Sequence, residues 1–348
     1  MIAMGSRVIR VASLRPSSCV GSRGNTADGT QRLVLTSICE PNDTVTATCS
    51  SCVFRSWELR STGQQWECCG EPGCADNLTI WWIEMNSERL KDGVAIVVGA
   101  GSSGPGLGIG QAIARLFADE GARVVLVDLH EDRAAETQRL IAEAGGESIV
   151  VAANISEPAA CEEVAKRAVA EYGTVSALVN NAAYTPLLGV AETSAETFEK
   201  VLAVNVRGPF LMTQATLPAM IERGGGSIVN IGSVASIRST NGRQAAYASS
   251  KAALLGMMVD IANEHGRNGI RINTISPGMI DTPLRRETMR EMGFDPESYP
   301  FGPQSSLGHA GDAWDMARAA LFLVSDDSRF ITGVHIPIDG GLTTRNPH

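Results

Sequence analysis

The chain has 348 residues, which is enough for one large domain or two ordinary domains with a substantial buried core. It carries 29 basic against 38 acidic side chains, giving a formal net charge of -9 at pH 7. This balance argues against nucleic-acid binding, which needs a clustered basic face. No run of 18 apolar residues is present, so no segment is expected to cross a membrane.

Residues 1–84 differ in composition from the rest of the chain. Seven of the eight Cys and four of the five Trp precede Met85, and no helical or strand period extends far in this segment. We expect that the segment does not fold and lies upstream of a natural start at Met85, so that residues 85–348 form the one folded domain.

Two other interpretations of this N-terminal segment stay open. Its first 27 residues contain no acid and are rich in Arg and Ser, which is typical of a targeting peptide. The spacing of its cysteines also resembles a zinc ribbon. The candidate zinc ligands are Cys49, Cys52, Cys68 or Cys69, and Cys74.

From Met85 onward the sequence alternates between predicted strands and helices, beginning with a dinucleotide-binding pattern. Val94–Val98 is a short apolar run that predicts a buried strand. It is followed by six glycines within residues 99–110 and by a predicted helix over 111–120. Glycines let the backbone approach a pyrophosphate, and a helix N-terminus presents unpaired N–H groups to it. We therefore expect this turn to bind phosphate and not to be merely flexible.

The second predicted strand, over residues 122–128, ends in an acid, Asp128. A carboxylate at this position accepts hydrogen bonds from the adenosine ribose and repels a 2′-phosphate. The following turn, 129–133, is net acidic, and the glycine turn contains no Lys or Arg. These features favour NAD over NADP, and Arg133 is the residue that argues the other way.

Further short strands alternate with helices along the chain. The predicted strands cover 147–154, 176–180, 227–231 and 270–275, and the predicted helices cover 158–172, 195–222 and 245–267. Such units predict an α/β fold, a Rossmann-like doubly wound parallel sheet of about seven strands with helices on both faces. Ligands bind beyond the carboxyl ends of the strands in such sheets. The residues expected there are Asp128, Asn154, Asn181, Ser233 and Pro277–Gly278.

The predicted helix over 245–267 carries Tyr247 and Lys251, which lie four residues apart and therefore on one face. A phenol is a poor acid–base catalyst near neutral pH unless a cation favours its phenolate, and Lys251 can supply that cation. Ser233 follows the strand 227–231, where its hydroxyl can bond a substrate oxygen. A Tyr and a Lys at this spacing are common in helices, so the surrounding motifs decide the interpretation.

Taken together, the motifs from about Leu90 to Gly341 resemble the short-chain dehydrogenase/reductase family. The matching motifs are the glycine turn ending Gly108-Ile-Gly110, Asn180-Asn-Ala-Ala183, Asn205, Ser233, Tyr247-x-x-x-Lys251, Pro277-Gly-Met-Ile-Asp-Thr282 and a last strand within 330–341. The glycine turn departs from the family's usual Thr-Gly-x-x-x-Gly-x-Gly. Val98 replaces the Thr, and eight residues separate Gly99 from Gly108, so the phosphate loop should be longer.

The resemblance implies hydride transfer between a nicotinamide cofactor and an alcohol or carbonyl. Tyr247 is then the acid–base, Lys251 lowers its pKa and holds the nicotinamide ribose, and Ser233 polarises the substrate oxygen. Asn205 is implied to hold a water that links Lys251 to solvent, although from the residues alone an Asn within a helix is expected to bond local backbone. Besides Tyr247 and Lys251, the implied cofactor-binding residues are Gly99, Ser102, Gly108, Ile109, Asp128, Asn154, Ile155, Asn181, Ala182, Ala183, Pro277, Gly278, Ile280 and Thr282.

The leading hypothesis is an NAD-dependent dehydrogenase or ketone reductase for a small or cyclic secondary alcohol. An NADPH-dependent 3-oxoacyl reductase and a non-catalytic dinucleotide-binding sensor or scaffold are the alternatives. We expect no catalytic metal, because the domain has no clustered His or Cys, and its single Cys161 fits the reducing cytoplasm. The resemblance implies a homotetramer that pairs the helices over 195–222 and 245–267. The irregular residues 283–308 suggest a substrate lid or simple packing.

Overall fold

The computed structural model describes residues 88–239, 242–291, 293–298 and 305–345, together with the backbone of four short strands nearer the N-terminus. The chain divides into two units, residues 1–86 and 87–348.

The four strands of the first unit pair antiparallel in sequence order. They are β1 (Leu33–Leu35), β2 (Val45–Cys49), β3 (Ser56–Thr62) and β4 (Gln65–Cys68). Cys52, Cys69 and Cys74 of the predicted zinc ribbon lie outside the described residues. The zinc site, the targeting peptide and the lack of a folded domain over residues 1–84 all stay predictions.

The second unit contains a seven-stranded parallel sheet in the order β11-β10-β9-β8-β5-β6-β7, which confirms the predicted Rossmann-like fold. Its strands are β5 (Val94–Val98), β6 (Arg123–Asp128), β7 (Ser148–Ala152), β8 (Ala177–Asn180), β9 (Gly226–Ile231), β10 (Ile270–Pro277) and β11 (His335–Ile338). Successive strands run outward from β5 in one direction to β7, and the chain then returns to β8 on the other side of β5. This reversal is the switch point at which such sheets bind their ligands.

Helices cover both faces of the sheet, which explains why β5 is apolar throughout. Ala95 and Val97 of β5 pack into one core and Val94, Ile96 and Val98 into the other. The helices are α1 (Ile109–Asp119), α2 (Glu131–Glu143), α3 (Pro158–Tyr172), α4 (Ala195–Leu202), α5 (Gly208–Arg223), α6 (Ala245–His265), α7 (Pro283–Glu291) and α8 (Ala313–Val324). Within the described residues, no helix is long and apolar enough to cross a bilayer.

The predicted helix over 195–222 is interrupted in the structure by one turn of a different kind. Ala203–Arg207 form a π-helical turn between α4 and α5, where the Gly208 N–H donates to the Ala203 carbonyl. Pro209 follows and has no N–H to donate to the carbonyl four residues earlier, that of Asn205. The proline therefore accounts for the widening of the helix at this point. Helices α2 and α8 were not predicted from the sequence.

The close approach of the glycine turn to α1 predicts a strong effect of Gly110→Ala. A Cβ at Gly110 would lie 1.9 Å from the Gly99 carbonyl oxygen, which is backbone and cannot rotate away. We expect the variant to lose about 1–3 kcal/mol of unfolding free energy, as overpacked positions do, measured by urea denaturation. In the matched control Gly266→Ala, the Cβ meets nothing within 4 Å, and the change should stay within about 0.5 kcal/mol. Equal stability of the two variants would contradict the packing argument.

Candidate active site

The parallel pairing of the strands brings the predicted site residues to one edge of the sheet. Gly99 follows β5, Asp128 ends β6, Asn181 follows β8, Ser233 follows β9 and Gly278 follows β10. Because these strands run parallel, all five positions lie at their carboxyl ends. The structure therefore places the predicted glycine turn and the predicted catalytic residues along the same edge.

The glycine turn is packed tightly against the segment that follows β8. Gly99 has a φ of +74°, and a Cβ there would lie 2.8 Å from the Ala182 backbone. The Asn181 side-chain amide donates to the Gly99 carbonyl over 2.8 Å. Asn181 and Ala182 thus hold the turn in place, and Ala183 follows them, partly buried.

The end of the turn has the features of a phosphate site. Gly108 is the N-cap of α1, no side chain caps the helix, and its first turn has no acidic residue. The first N–H groups of a helix lack intrahelical acceptors and carry partial positive charge, so they favour an anion. The Ile109 side chain packs against the core, which leaves its main chain to face a ligand.

The additional residues of the glycine turn form a loop that reaches the start of α7. The Ser102 hydroxyl donates to the carbonyls of Gly104 and Gly106, over 2.9 and 3.1 Å, and closes the loop on itself. Atoms built as a Cβ at Gly104 and Gly106 would lie 3.7 and 3.3 Å from the Pro283 ring. The predicted lengthening of this loop therefore brings it against the segment that begins α7.

Asp128 lies beside the glycine turn, as predicted. Its two carboxylate oxygens accept the N–H groups of Gly101 and His130, each over 3.0 Å. A carboxylate has about four acceptor sites, so both oxygens can accept further bonds. Arg133 lies next to the same turn, since a Cβ at Gly101 would lie 2.4 Å from the Arg133 Cβ. An acid and a base therefore flank the position predicted for the adenosine ribose.

The residues after β7 are held by their own contacts. The Asn154 side-chain oxygen accepts the N–H and the hydroxyl of Ser156, over 3.2 and 2.8 Å. Ile155 is 6 % exposed and belongs to the core, where it packs against Gly208. Only the main chain of Ile155 is left to contact a cofactor.

Tyr247, Lys251 and Ser233 come together at the start of α6. Tyr247 is in the first turn of α6 and is partly buried, and Lys251, one turn later, is almost fully buried, with 2 % exposed. The Lys251 Nζ lies 5.7 Å from the centre of the Tyr247 ring and donates to the Ile231 carbonyl over 2.8 Å. The Ser233 hydroxyl accepts the Ala235 N–H over 3.1 Å and lies close enough to the Tyr247 phenol to affect its pKa.

Burial shifts the pKa values of Tyr247 and Lys251 in opposite directions. Burial raises the pKa of the Tyr247 phenol, and the Ser233 hydroxyl offsets only part of that rise. Burial lowers the pKa of the Lys251 ammonium from 10.5 to about 8. In the ligand-free protein Ser233 is the group that lowers the Tyr247 pKa, and the Lys251 ammonium donates to the Ile231 carbonyl. The lowering of the Tyr247 pKa by Lys251 stays a prediction.

Asn205 is fully buried in the π-helical turn and bonds a distant part of the chain. Its side-chain oxygen accepts the Tyr184 N–H over 2.7 Å, and its amide donates to the Tyr184 carbonyl over 2.9 Å and to the Ser250 hydroxyl over 3.0 Å. Ser250 in turn donates to the Tyr247 carbonyl over 2.7 Å. Asn205 therefore supports the turn of α6 that carries Tyr247, and the local backbone bonding expected for an Asn in a helix is not its role.

The segment predicted to face the nicotinamide follows Pro277, the last residue of β10. The Gly278 N–H donates to the Ile338 carbonyl over 3.0 Å. Ile280 is buried and pairs with Gly311 in a short parallel bridge. The Thr282 hydroxyl accepts the Arg285 N–H over 3.3 Å at the start of α7.

Several supporting contacts were not found from the sequence. The buried amides of Asn180 and Asn230 pair over 2.9 Å across β8 and β9. The sequence did contain a sign of this pair, because Asn180 ends β8 and Asn230 is next to the last residue of β9. The bonds from Lys251 to the Ile231 carbonyl and from Asn205 to the Tyr184 carbonyl could not be predicted from the sequence, because every residue has a main-chain carbonyl. In the part of the chain that the structure describes, no three His, Cys, Asp or Glu side chains cluster as metal ligands do.

Comparison with known proteins gives a consistent picture. The family model described as Enoyl-(Acyl carrier protein) reductase matches residues 104–343. The chain is 36% identical over 255 residues to 2,5-dichloro-2,5-cyclohexadiene-1,4-diol dehydrogenase LinX of Sphingobium indicum, covering 73% of this chain and 98% of the relative. It is also 36% identical over 260 residues to 3-oxoacyl-[acyl-carrier-protein] reductase FabG of Thermotoga maritima, covering 73% and 99% of the two chains.

A solved structure agrees with these sequence relatives. The crystal structure of a putative short-chain dehydrogenase/reductase from Burkholderia xenovorans superposes with a TM-score of 0.69 and 36% identity, over 74% of this chain and 99% of the other. From these matches, the chain belongs to the short-chain dehydrogenase/reductase family of oxidoreductases.

Proposed function

We propose that the protein is an NAD-dependent dehydrogenase or reductase that acts on a small or cyclic secondary alcohol or ketone. The observation that carries this proposal is the placement of Tyr247 and the buried Lys251 on one face of α6. The Lys251 Nζ lies 5.7 Å from the centre of the Tyr247 ring and donates to Ile231, two residues before Ser233. The name of LinX describes a dehydrogenase of a cyclic diol, which supports a cyclic secondary alcohol as the substrate class.

The residues at the sheet edge fit a dinucleotide. The uncapped N-terminus of α1 suits a pyrophosphate, and the tightly packed glycines leave no room for side chains in the turn that would face it. Asp128 would accept hydrogen bonds from the adenosine ribose. The remaining contacts would come from the residues after β7, β8 and β10. When bound, the nicotinamide ring accepts or supplies the hydride.

Tyr247 is placed to move the proton that accompanies hydride transfer. Because burial raises its pKa above the ordinary value near 10, the phenol is protonated at neutral pH in the ligand-free protein. A protonated phenol can donate to a carbonyl oxygen during ketone reduction, whereas alcohol oxidation requires the phenolate. Ser233 already accepts the Ala235 N–H, so its own O–H proton can be directed to Tyr247 or to a substrate oxygen.

Lys251 and Asn205 have complementary proposed roles. The Lys251 ammonium would bind the nicotinamide ribose hydroxyls and stabilise the Tyr247 phenolate as it forms. Pro209 cannot donate to the Asn205 carbonyl, as described above, so this carbonyl can accept a water that leads from Lys251 toward solvent. The Asn205 side chain, which bonds Tyr184 and Ser250, keeps that carbonyl in place.

A second candidate is an NADPH-dependent 3-oxoacyl reductase, favoured by the name of FabG. A panel of cyclic alcohols, cyclic ketones and 3-oxoacyl thioesters, each with NAD(H) and NADP(H), separates the two candidates. Nucleotide binding without turnover of any of these compounds would instead favour the sensor or scaffold.

We further propose a homotetramer in the cytoplasm. Large apolar side chains are exposed on α4, α5 and α6, namely Phe198, Phe210 and Val259, and such surfaces are typical of subunit contacts. Cys161 is a free, buried thiol, which suits a reducing compartment. Light scattering of the purified protein tests the tetramer.

Tyr247→Phe is expected to lower kcat by about 10²- to 10⁴-fold, because it removes the acid–base group and little else. Binding of NAD, followed by fluorescence titration, should change by less than about threefold. Steady-state rates with cyclohexanol and NAD, read from the absorbance of the reduced cofactor, provide the measurement. Full activity in the variant would remove the assigned role of the phenol.

Lys251→Met is expected to abolish activity while stabilising the ligand-free fold at neutral pH. The pKa of Lys251 in the folded protein is about 8, below its ordinary 10.5. Burial of the charged amine therefore lowers the free energy of unfolding, and below pH 8 the whole of this penalty applies. That penalty is about 3 kcal/mol and disappears as the pH rises from 8 to 10.5. Loss of the bond to Ile231 offsets about 1 kcal/mol of the gain.

Urea unfolding of wild type and Lys251→Met at pH 7 and pH 10 tests this prediction. The variant should be the more stable protein at pH 7, and the difference should shrink at pH 10. A variant that is markedly less stable than wild type at pH 7 would show that the bond to Ile231, and not the desolvation of the amine, dominates.

Asp128→Asn should shift the cofactor preference toward NADP. The substitution keeps the shape of the side chain and removes the charge that repels a 2′-phosphate, so the ratio of kcat/KM for NADP to that for NAD should rise about tenfold. Glu143→Gln, at the other end of α2, makes the same charge change away from the site and should leave the ratio unaltered. An unchanged ratio in Asp128→Asn would indicate that Arg133, and not Asp128, determines the choice between NAD and NADP.

A further inference from the structure

The chain folds back after β11 toward the catalytic serine. Residues 339–345, here called the C-terminal tail, form a compact turn on the Asp339 side chain. The Asp339 carboxylate accepts the N–H of Gly341 over 2.9 Å and that of Thr343 over 2.8 Å. The tail therefore has a defined shape, set by its first residue.

The first end of the tail is packed on the segment proposed to face the nicotinamide. A Cβ at Gly278 would lie 2.6 Å from the Asp339 Cβ, so the two backbones approach closely there. The Gly278 N–H also donates to the carbonyl of Ile338, the residue before the tail. Movement of the tail at this end would displace Gly278.

The far end of the tail is held by Arg238. Its Nη1 donates to the carbonyl of Leu342 and, over 3.2 Å, to that of Arg345. These are contacts between residues more than 100 positions apart in the chain. Because both acceptors are main-chain carbonyls, the side-chain sequence of the tail gives no sign of them.

Arg238 belongs to the turn that carries Ser233. Residues 233–238, here called the serine turn, are closed by the bond from the Ala235 N–H to the Ser233 hydroxyl and by that from the Arg238 N–H to the Val234 carbonyl, over 3.1 and 3.0 Å. The guanidinium thus ties the tail to the turn that begins at Ser233.

The tail also contacts the end of the irregular residues 283–308. The Leu307 N–H donates to the Gly340 carbonyl and the Ser306 hydroxyl to the Gly341 carbonyl, each over 3.1 Å. The tail is therefore bonded to the serine turn and to the end of the region after α7, and it packs against the residues after β10.

We propose that the C-terminal tail forms a wall of the substrate site, that Arg238 positions this wall against the serine turn, and that the wall restricts the enzyme to compact substrates. This inference rests on the proposed function, whose substrate class it narrows. On this proposal a compact alcohol reaches Ser233 with the tail in place, whereas an extended alkyl or acyl chain has to displace the tail. Arg238 is a positioning residue, since it acts through the carbonyls and the turn that it joins.

The variant Arg238→Met removes the guanidinium and keeps a side chain of similar length. Its KM for cyclohexanol should rise about tenfold, with a smaller change in kcat, since loss of the wall mainly weakens binding. The preference for cyclohexanol over 2-octanol should fall by a similar factor. Arg238→Lys keeps one donor and should recover part of both effects. Arg223→Met, which removes an arginine–carbonyl contact near the start of β9, is the matched control and should behave as wild type.

Hydrogen exchange of the ligand-free protein gives a readout that does not need activity. Amides of the serine turn and of residues 341–345 should both exchange faster in Arg238→Met than in wild type or Arg223→Met. Unchanged exchange in both segments, or an unchanged preference for cyclohexanol over 2-octanol, would overturn the proposal. If wild type oxidises neither alcohol, the proposed function fails, and faster exchange in the two segments would still establish the contact made by Arg238.

Discussion

The hydrogen bond from the buried Lys251 ammonium to the Ile231 carbonyl is the contact on which the rest of the site depends. An amine at this depth loses most of its hydration, and its pKa falls to about 8 as a result. The Ile231 carbonyl is the one acceptor that it gains. The bond fixes α6 against the end of β9. Tyr247, one turn earlier on the same helix, is thereby placed against Ser233, which follows that strand.

A second set of contacts fixes the cofactor side of the same edge. Asn181 holds the Gly99 carbonyl, and Asn205 joins Tyr184, Ser250 and, through Ser250, the first turn of α6. Both asparagines bond main-chain groups of other segments. The loop that follows β8 is thus bonded on one side to the glycine turn and on the other to the helix of Tyr247. A shift in either would be transmitted to the other through residues 181–184.

The regular spacing of apolar and catalytic residues in the sequence predicted the strands, the helices and the residues that share a helix face. The apolar run of β5 is buried on both faces, and the four-residue spacing of Tyr247 and Lys251 places them on one side of α6. The π-helical turn escaped prediction because the Ala- and Leu-containing stretch around it is helical in composition, and the effect of Pro209 depends on one missing N–H. The burial of Tyr247 and Lys251, which shifts their pKa values in opposite directions, could not be predicted from the sequence. The effect of Lys251 on the Tyr247 pKa stays a prediction.

The segments that would select a substrate are those whose sequences show the least regular strand or helix pattern. The additional residues of the glycine turn contact Pro283, the region after α7 contacts the C-terminal tail, and the tail contacts Arg238. Main-chain carbonyls accept most of these bonds, so the side chains there can vary without loss of the contacts. The sheet edge positions the groups that would carry out hydride and proton transfer. On our proposal, the arrangement of these outer segments selects the substrate that reaches those groups and leaves the groups themselves unchanged.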